Sequence, residues 1–239
     1  MGELLLKLFD LNIALYNDWE ERKPRILELI REQKPDIVTL QEVMDDAKYN
    51  RYGDNQAKEL AKELGFKHCA FYLSGNLQKE SSQWFGDRRC RAGEAILSRY
   101  PLRNVAKKRL KRQPTDKHYR GIVYAEVKVA GVWRSVIVVH FSNDNILSLL
   151  HMKEVLAYAK KKNIYPVIVG DFNIKNTNDI LALTPKDFTL SYAIKKYVSY
   201  PSKGETLDYI MLPKGLGFRS LECLGNNLSD HKALVACIE

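Results

Sequence analysis

Four features are scarce in this sequence: cysteine, glycine and proline, long apolar runs, and acidic relative to basic residues. The 239 residues include four cysteines, at positions 69, 90, 223 and 237, and no two have the close spacing of a zinc site or a redox motif. A disulfide-rich secreted scaffold is therefore excluded, and we expect reduced thiols in a cytoplasmic protein. Glycine and proline, with 13 and 8 residues, form no low-complexity linker, which predicts a single domain over residues 1–239.

Long apolar runs are also missing. No stretch is long and apolar enough for a helix that crosses a membrane. The N-terminal segment MGELLLKLFDLNI is interrupted by Lys7 and Asp10, and it lacks the cleavage pattern of a signal peptide. We therefore expect no membrane segment and interpret this stretch as the first strand of the core.

Acidic residues are the scarcer charged class. Lysine and arginine total 38 against 29 aspartates and glutamates, which gives a formal net charge of +9 and a pI near 9.2. Such a surplus favours a polyanionic partner, either nucleic acid or an anionic membrane surface. A basic surface that serves only solubility is the alternative.

Strand and helix patterns alternate along the chain. Apolar residues at helical spacing predict helices over 18–34, 55–65 and 145–162. In the first, Asp18 and Glu21 fit a capping box, and Pro24 is expected to start or break the main helix. Runs rich in valine, isoleucine and aromatic residues predict strands over 4–9, 36–40, 68–73, 94–97, 122–129, 134–141, 166–169, 207–212 and 233–238, two of them joined in a hairpin at 129–132. The mixture indicates an α/β (α+β) domain with mixed sheets.

Polar side chains stand at the ends of these strands, where rigid strands can direct them into one pocket. Glu42 is a hard oxygen ligand of the kind that Mg²⁺ prefers, and Asn12 and Asp230 can complete its shell. Asp171 can deprotonate a water molecule, and Asn173 can hold charged oxygens in a transition state. Histidines at 140 and 231 can contact a phosphate or exchange protons, and Asp208 can fix the tautomer of one of them.

Taken singly, each of these residues has a simpler interpretation. Asn12 is typical of a turn, Glu42 of a solvated surface, and His140 of a hydrogen-bonded core. The GDFN segment also fits an Asx turn, and SDH also fits a helix or turn cap. The order of the whole set distinguishes the functional interpretation from these alternatives.

That ordered set resembles the endonuclease/exonuclease/phosphatase (deoxyribonuclease-I-like) superfamily. The matching segments run from residue 8 to residue 236 and comprise LFDLNI, PDIVTLQEV, GEAILSRYPL, VVHFS, VIVGDFNI, TLDYIM and LSDHKALVA. One departure is Leu11, where relatives often carry a tryptophan. The resemblance implies a four-layer sandwich of two packed mixed β-sheets flanked by helices, with the site at one edge.

The resemblance also implies roles for the polar residues. Glu42 would be the main ligand of Mg²⁺ or Mn²⁺, with Asn12 and Asp230 beside it. Asp171 would act on the attacking water. Asn173 and His140 would bind the phosphate, and Arg120 would place a cation near it. His231 would act as an acid or base or stabilise the transition state. Asp208 would orient one of the two histidines.

His140 bears on the choice among relatives, because the apurinic endonuclease branch usually lacks it. Its presence favours the deoxyribonuclease, sphingomyelinase or tyrosyl-DNA phosphodiesterase side. Arg120 has the alternative of an ordinary surface arginine.

The substrate is less well defined by the sequence. Basic clusters lie in predicted loops at 88–91 and 107–112, with Trp84, Phe85, Tyr100 and Tyr119 interspersed. Cations for phosphates and aromatic faces for bases favour nucleic acid, DNA rather than RNA, as the partner of a monomeric phosphodiesterase. A lipid or inositol phosphate hydrolase with the same site, and a non-catalytic nucleic-acid-binding protein, remain the alternatives.

Overall fold

The computed structural model describes residues 6–45, 55–77, 90–112 and 119–239. Twelve strands in this part of the chain form two six-stranded sheets. The strands are β1 (Leu6–Asn12), β2 (Ile37–Met44), β3 (His68–Leu77), β4 (Cys90–Ser98), β5 (Leu102–Arg109), β6 (Gly121–Val129), β7 (Val132–His140), β8 (Val167–Asp171), β9 (Phe188–Leu190), β10 (Asp208–Pro213), β11 (Phe218–Leu224) and β12 (Ala233–Ile238).

Both sheets are mixed. The first has the order β11-β12-β1-β2-β4-β3, and the second has the order β5-β6-β7-β8-β10-β9. Each contains one parallel pair, β1 with β2 and β7 with β8, among otherwise antiparallel neighbours. The predicted hairpin is confirmed, because Val129 pairs with Val132 at the turn between β6 and β7.

Apolar side chains fill three interfaces. Residues such as Leu8, Val138 and Val169 lie between the two sheets and are fully buried. The described helices are α1 (Trp19–Gln33), α2 (Gln56–Leu64), α3 (Asn145–Lys162), α4 (Thr177–Leu183) and the single turn α5 (Ser191–Ile194). Helices α1 and α2 cover the first sheet, and α3 and α4 cover the second, which completes the four layers of the predicted α/β sandwich.

Two details of the first helix differ from prediction. Pro24 lies inside α1 rather than at a break, since the buried side chains of Trp19 and Arg22 anchor the turns before it. Asp18 is the N-cap residue, but its side chain makes no capping bond because its backbone is left-handed, with φ 46°. The predicted capping box is therefore wrong.

The basic segment at 107–112 also differs from prediction. Lys107 to Arg109 belong to β5, an edge strand, rather than to a loop. Strands β5, β9 and β11 were absent from the predicted set. The cluster at 88–89, with Trp84 and Phe85, lies outside the described residues. Among the helices that the structure describes, none is long and apolar enough to cross a membrane.

Candidate active site

The polar ends of the two parallel strand pairs meet between the sheets. Asn12 ends β1 and lies in register with Gln41 of β2, while His140 ends β7 and lies in register with Asp171 of β8. The Asn12 Nδ2 donates a hydrogen bond to Asp171 Oδ2 at 3.1 Å, which joins the ends of the two sheets. Residues far apart in sequence therefore form one buried cluster of polar side chains, which we call the pocket.

Backbone conformation directs three of these side chains. Gly170 has φ 134°, and a Cβ there would lie 2.2 Å from the Val139 carbonyl oxygen, so only glycine fits before Asp171. Asn173 follows with φ 52°, a left-handed conformation that asparagine tolerates. Glu42 has φ 53° within an irregularity in the pairing of β2 with β4. Glu42 therefore lies inside a bulged strand rather than after one.

Asn12 bridges the two carboxylates of the pocket. Its Nδ2 also lies 3.4 Å from Glu42 Oε1, while its Oδ1 accepts a hydrogen bond from the Ala14 backbone N–H at 3.0 Å. The amide thus presents its donors to Asp171 and Glu42. The Glu42 side chain remains 31% exposed, whereas that of Asp171 is 2% exposed, so Glu42 opens towards solvent.

His231 is oriented by Asp208. Its Nδ1 lies 2.8 Å from Asp208 Oδ2, and its Nε2 lies 3.9 Å from Asp171 Oδ2. The Tyr200 ring packs against the imidazole with centroids 4.9 Å apart. The hydroxyl of Ser229 accepts from the His231 backbone N–H and donates to the Asn12 carbonyl, so it ties the SDH segment to the end of β1.

Arg120 is buried beside His140, so the alternative of a surface arginine is wrong. Its side chain is 7% exposed. One terminal nitrogen, Nη1, lies 2.7 Å from His140 Nε2, and the other, Nη2, donates to Asn143 Oδ1 at 2.7 Å. Its Nε is buried without a hydrogen-bond partner among the described residues. His140 Nε2 in turn lies 3.4 Å from Asp171 Oδ2.

The environment of Asp171 and His231 shifts both pKa values towards neutrality or above it. Burial and the nearby Asp208 raise the pKa of Asp171 to about 7, although His231, Asn12 and Arg120 oppose the rise. Burial alone would lower the pKa of His231, but the charge and hydrogen bond of Asp208 raise it well above its ordinary value. A carboxylate that titrates near pH 7 beside a protonated imidazole is suited to general acid–base chemistry.

Asn173 is held through both its backbone and its side chain. Its N–H donates to Asp171 Oδ1 at 2.9 Å, and its Nδ2 donates to the Phe141 carbonyl oxygen at 3.1 Å. An asparagine amide carries two N–H donors, so one hydrogen can still serve a ligand.

The donor set of the pocket fits a divalent cation. Glu42, Asn12 and Asp230 supply oxygen ligands of the kind that Mg²⁺ prefers, and the partial desolvation of Glu42 and the charge of Asp230 raise the pKa of Glu42. Asp230 itself is exposed at the rim of the site. Within the described ranges, one group of histidine and carboxylate ligand atoms lies within 4.8 Å, and it comprises Asp171, Asp208 and His231. This group differs from the predicted ligands, and its shortest contact is already a hydrogen bond.

Two buried residues near the site were missed by the sequence analysis. Arg22, 7% exposed, donates to backbone carbonyls on both sides of the site, among them Ile13 and Leu228. Asp10 accepts from Thr39 and Gln41 beneath the pocket, and burial raises its pKa to about 8. In the sequence, both could be recognised only as charged residues on an otherwise apolar face, Asp10 on strand β1 and Arg22 on helix α1.

The chain is similar in sequence to one protein family and in fold to several solved structures. Residues 11–231 match the Endonuclease/Exonuclease/phosphatase family. The human Nocturnin catalytic domain with bound sulfate anion is 21% identical, with a TM-score of 0.76 over 100% of this chain and 95% of that chain. An endonuclease/exonuclease/phosphatase from Beutenbergia cavernae is 21% identical, with a TM-score of 0.78 over 99% and 72%. D. rerio TDP2 complexed with single strand DNA product is 14% identical, with a TM-score of 0.68 over 98% and 99%. No curated protein matches the sequence.

Proposed function

Because the chain belongs to the Endonuclease/Exonuclease/phosphatase family, whose members are generally phosphoric ester hydrolases, we propose that it cleaves phosphodiester bonds in nucleic acid with the help of Mg²⁺ or Mn²⁺. The observation that carries the proposal is the meeting of Asn12, Asp171 and His231 in one buried pocket. A water activator (Asp171), an acid (His231) and a residue of the cation site (Asn12) then lie close together. DNA is the preferred substrate over RNA.

We assign the cation to Glu42, with Asn12 and Asp230 beside it. When bound, such an ion polarises a phosphoryl oxygen and offsets developing negative charge. The exposure of Glu42 leaves it accessible to a hydrated ion from solvent. Asn12 holds Glu42 and Asp171 at the separation that two hydrogen bonds to one amide impose.

Asp171 accepts the proton of the attacking water. Its pKa of about 7 leaves a substantial ionised fraction near neutral pH while keeping the group basic enough to accept a proton. Asn12 orients one carboxylate oxygen, and the backbone N–H of Asn173 orients the other. The carboxylate is therefore fixed before substrate binds.

His231 donates a proton or a hydrogen bond to the ester. Asp208 holds its Nδ1, so the Nε2–H points into the pocket towards Asp171. Arg120, His140 and the free amide hydrogen of Asn173 bind the phosphoryl oxygens. The unpartnered Nε of Arg120 fits a guanidinium whose hydrogen bonds are completed by a ligand.

The net charge of the protein favours nucleic acid over other phosphate esters as the substrate. The net charge of +9 suits a polyanion, and D. rerio TDP2, which shares the fold, was solved with a single strand DNA product. A lipid or inositol phosphate hydrolase would use the same pocket. A non-catalytic binding protein would not require an acid–base arrangement of this kind. The monomeric state and the cytoplasmic location stay predictions.

The test is a substrate panel with Mg²⁺ and with chelator. It contains single-stranded DNA, duplex DNA, a tyrosyl-linked oligonucleotide, RNA, sphingomyelin and inositol phosphates. We expect Mg²⁺-dependent cleavage of DNA, and Asp171→Asn should reduce it by about 10²–10⁴-fold. The exposed Asp187→Asn, the same substitution away from the site, is the control and should retain wild-type rates. Cleavage of the lipid or inositol substrates alone would overturn the choice of nucleic acid.

A further inference from the structure

A basic and aromatic surface begins where β5 ends. Arg109, the last residue of β5, pairs with Gly121, and the Leu110 N–H donates to the Arg120 carbonyl at 2.9 Å. Arg120 is the residue that contacts His140 in the pocket. The end of this basic strand is therefore adjacent to the proposed phosphate site.

Two guanidinium groups lie over one aromatic ring at this point. The Cζ of Arg109 is 4.5 Å from the Tyr119 ring centroid, and that of Arg112 is 4.7 Å from it. Both arginines are exposed, and Tyr119 is partly exposed. We call Arg109, Arg112 and Tyr119 the Tyr119 platform. Tyr119 directly precedes Arg120, so the platform and the pocket share a backbone segment.

The pleat of β5 separates its cations between two faces. Lys108 faces helix α3, where it forms an ion pair with Glu154. Lys107 and Arg109 face the opposite way, and Lys107 lies 6.0 Å from the centroid of the Tyr72 ring on β3. Tyr72 packs so closely on Gly121 that a Cβ there would lie 2.3 Å from its ring. Aromatic rings with cations near them therefore lie at both sequence neighbours of Arg120: the ring of Tyr119 itself, and the Tyr72 ring that packs on Gly121.

This arrangement matches the chemistry of an unpaired nucleotide. Guanidinium planes and aromatic rings stack on bases, and guanidinium N–H groups bind phosphate. A base offers its face for stacking only where it is not already stacked within a duplex. On the basis of the proposed function, we propose that the Tyr119 platform binds the unpaired nucleotide next to the phosphate that is cleaved, so that single strands or frayed ends are the preferred substrate.

The test measures binding without catalysis. Fluorescence anisotropy with a labelled short oligonucleotide, single-stranded or as a hairpin duplex, is recorded in chelator for the full chain. We expect Tyr119→Ala and Arg109→Ala each to raise the Kd for the single strand about tenfold, with less than about a twofold change for the duplex. Arg109→Ala should also reduce the slope of log K against log salt by about 0.7. Tyr119→Phe, which keeps the ring, should retain wild-type affinity.

Arg103→Ala is the matched control. Arg103 lies on the same strand, and its guanidinium is 4.0 Å from the Trp133 ring, but six residues, or about 20 Å, separate it from Arg109. Three outcomes would each overturn the platform. Arg103→Ala could weaken single-strand binding as much as the platform variants do. The platform variants could weaken duplex and single-strand binding equally, or they could leave the Kd for the single strand unchanged. The proposed function is tested separately: a wild type that binds single strands through the platform but cleaves no nucleic acid with Mg²⁺ would refute the activity and leave the platform standing.

Discussion

Two buried arginines, Arg22 and Arg120, are equally inaccessible to solvent but differently bound. Each is 7% exposed. Arg22 donates all five of its guanidinium hydrogens to backbone carbonyls, those of Ile13, Ala14, Leu15, Asn17 and Leu228. Arg120 donates to side chains of His140 and Asn143, and its Nε has no partner among the described residues.

We interpret Arg22 as a structural cation and, on the basis of the proposed function, Arg120 as a cation that binds the phosphate. The carbonyls bound by Arg22 belong to the loop after Asn12 and to the segment before His231, so Arg22 joins the two segments without any donor left over. Arg120 is joined to a histidine of the pocket and retains an unused donor. A buried polar atom without a partner is costly in a finished fold, and in the proposed function a phosphate oxygen would supply the missing partner of Arg120 Nε.

The largest expected effect comes from removing the structural arginine. Arg22→Met leaves five carbonyls without their donor, each worth about 1–3 kcal/mol if it stays buried, and partial hydration reduces the sum. We expect a loss of about 3–4 kcal/mol in the free energy of unfolding. Urea unfolding followed by circular dichroism measures it.

The control for this prediction is Arg31→Met on the same helix. Arg31 is exposed, so its loss should change the free energy of unfolding by less than about 0.5 kcal/mol. A stability close to wild type in Arg22→Met would show that its carbonyls find other donors, and the contrast with Arg120 would then fail.

Arg120→Met should show the opposite behaviour. Loss of a preorganised donor to the phosphate is expected to reduce kcat about 10²–10³-fold, because such donors act on charge that develops in the transition state. The free energy of unfolding should fall by less than about 1 kcal/mol, since the Arg120 partner Asn143 is exposed and can bind water instead, which leaves one buried contact, to His140, to be lost. Steady-state kinetics and urea unfolding on one preparation test both parts. A stability loss as large as that of Arg22→Met would assign Arg120 a structural role.

Asp208→Asn extends the contrast to the pH dependence of the site. The Asp208 charge raises the pKa of both His231 and Asp171, so its removal lowers both. Asp171 then ionises at lower pH, and His231 loses its proton at lower pH. Both limbs of the kcat profile should therefore move in the acidic direction, by about one pH unit. Limbs that keep their wild-type positions, with kcat merely reduced, would indicate that Asp208 acts only on the orientation of the ring.

The polar residues at strand ends were accessible to sequence analysis because their cause is local. A buried strand that stops at glycine must release the next side chains at one edge, as Gly170 does for Asp171 and Asn173. The pairing of Asp208 with His231 rather than with His140 was not predictable, since either histidine could accept a carboxylate partner and the sequence does not show which one lies beside Asp208. It depends on the antiparallel register of β10 with β8, which places Asp208 opposite Asp171.

Arg22 was missed for a different physical reason. Its partners are main-chain carbonyls, which every residue possesses, so no spacing or residue type in the sequence indicates them. The same holds for Pro24, whose place inside α1 depends on tertiary anchoring of the preceding turn rather than on local propensity. Contacts with the backbone of distant segments cannot be predicted from residue types and their spacing in the sequence.

Arg103, which lies on the surface, is expected to matter less than either Arg22 or Arg120. Its side chain is 48% exposed, forms an ion pair with Glu126 at 2.5 Å, and lies over the Trp133 ring. Exposed ion pairs and cation–π contacts are each worth less than about 1 kcal/mol because water screens them and both side chains lose freedom. Arg103→Ala should therefore change the free energy of unfolding by less than about 1 kcal/mol and leave kcat unchanged. A larger loss, measured at both low and high salt, would show that partner chemistry alone, without burial, determines what an arginine contributes to this protein.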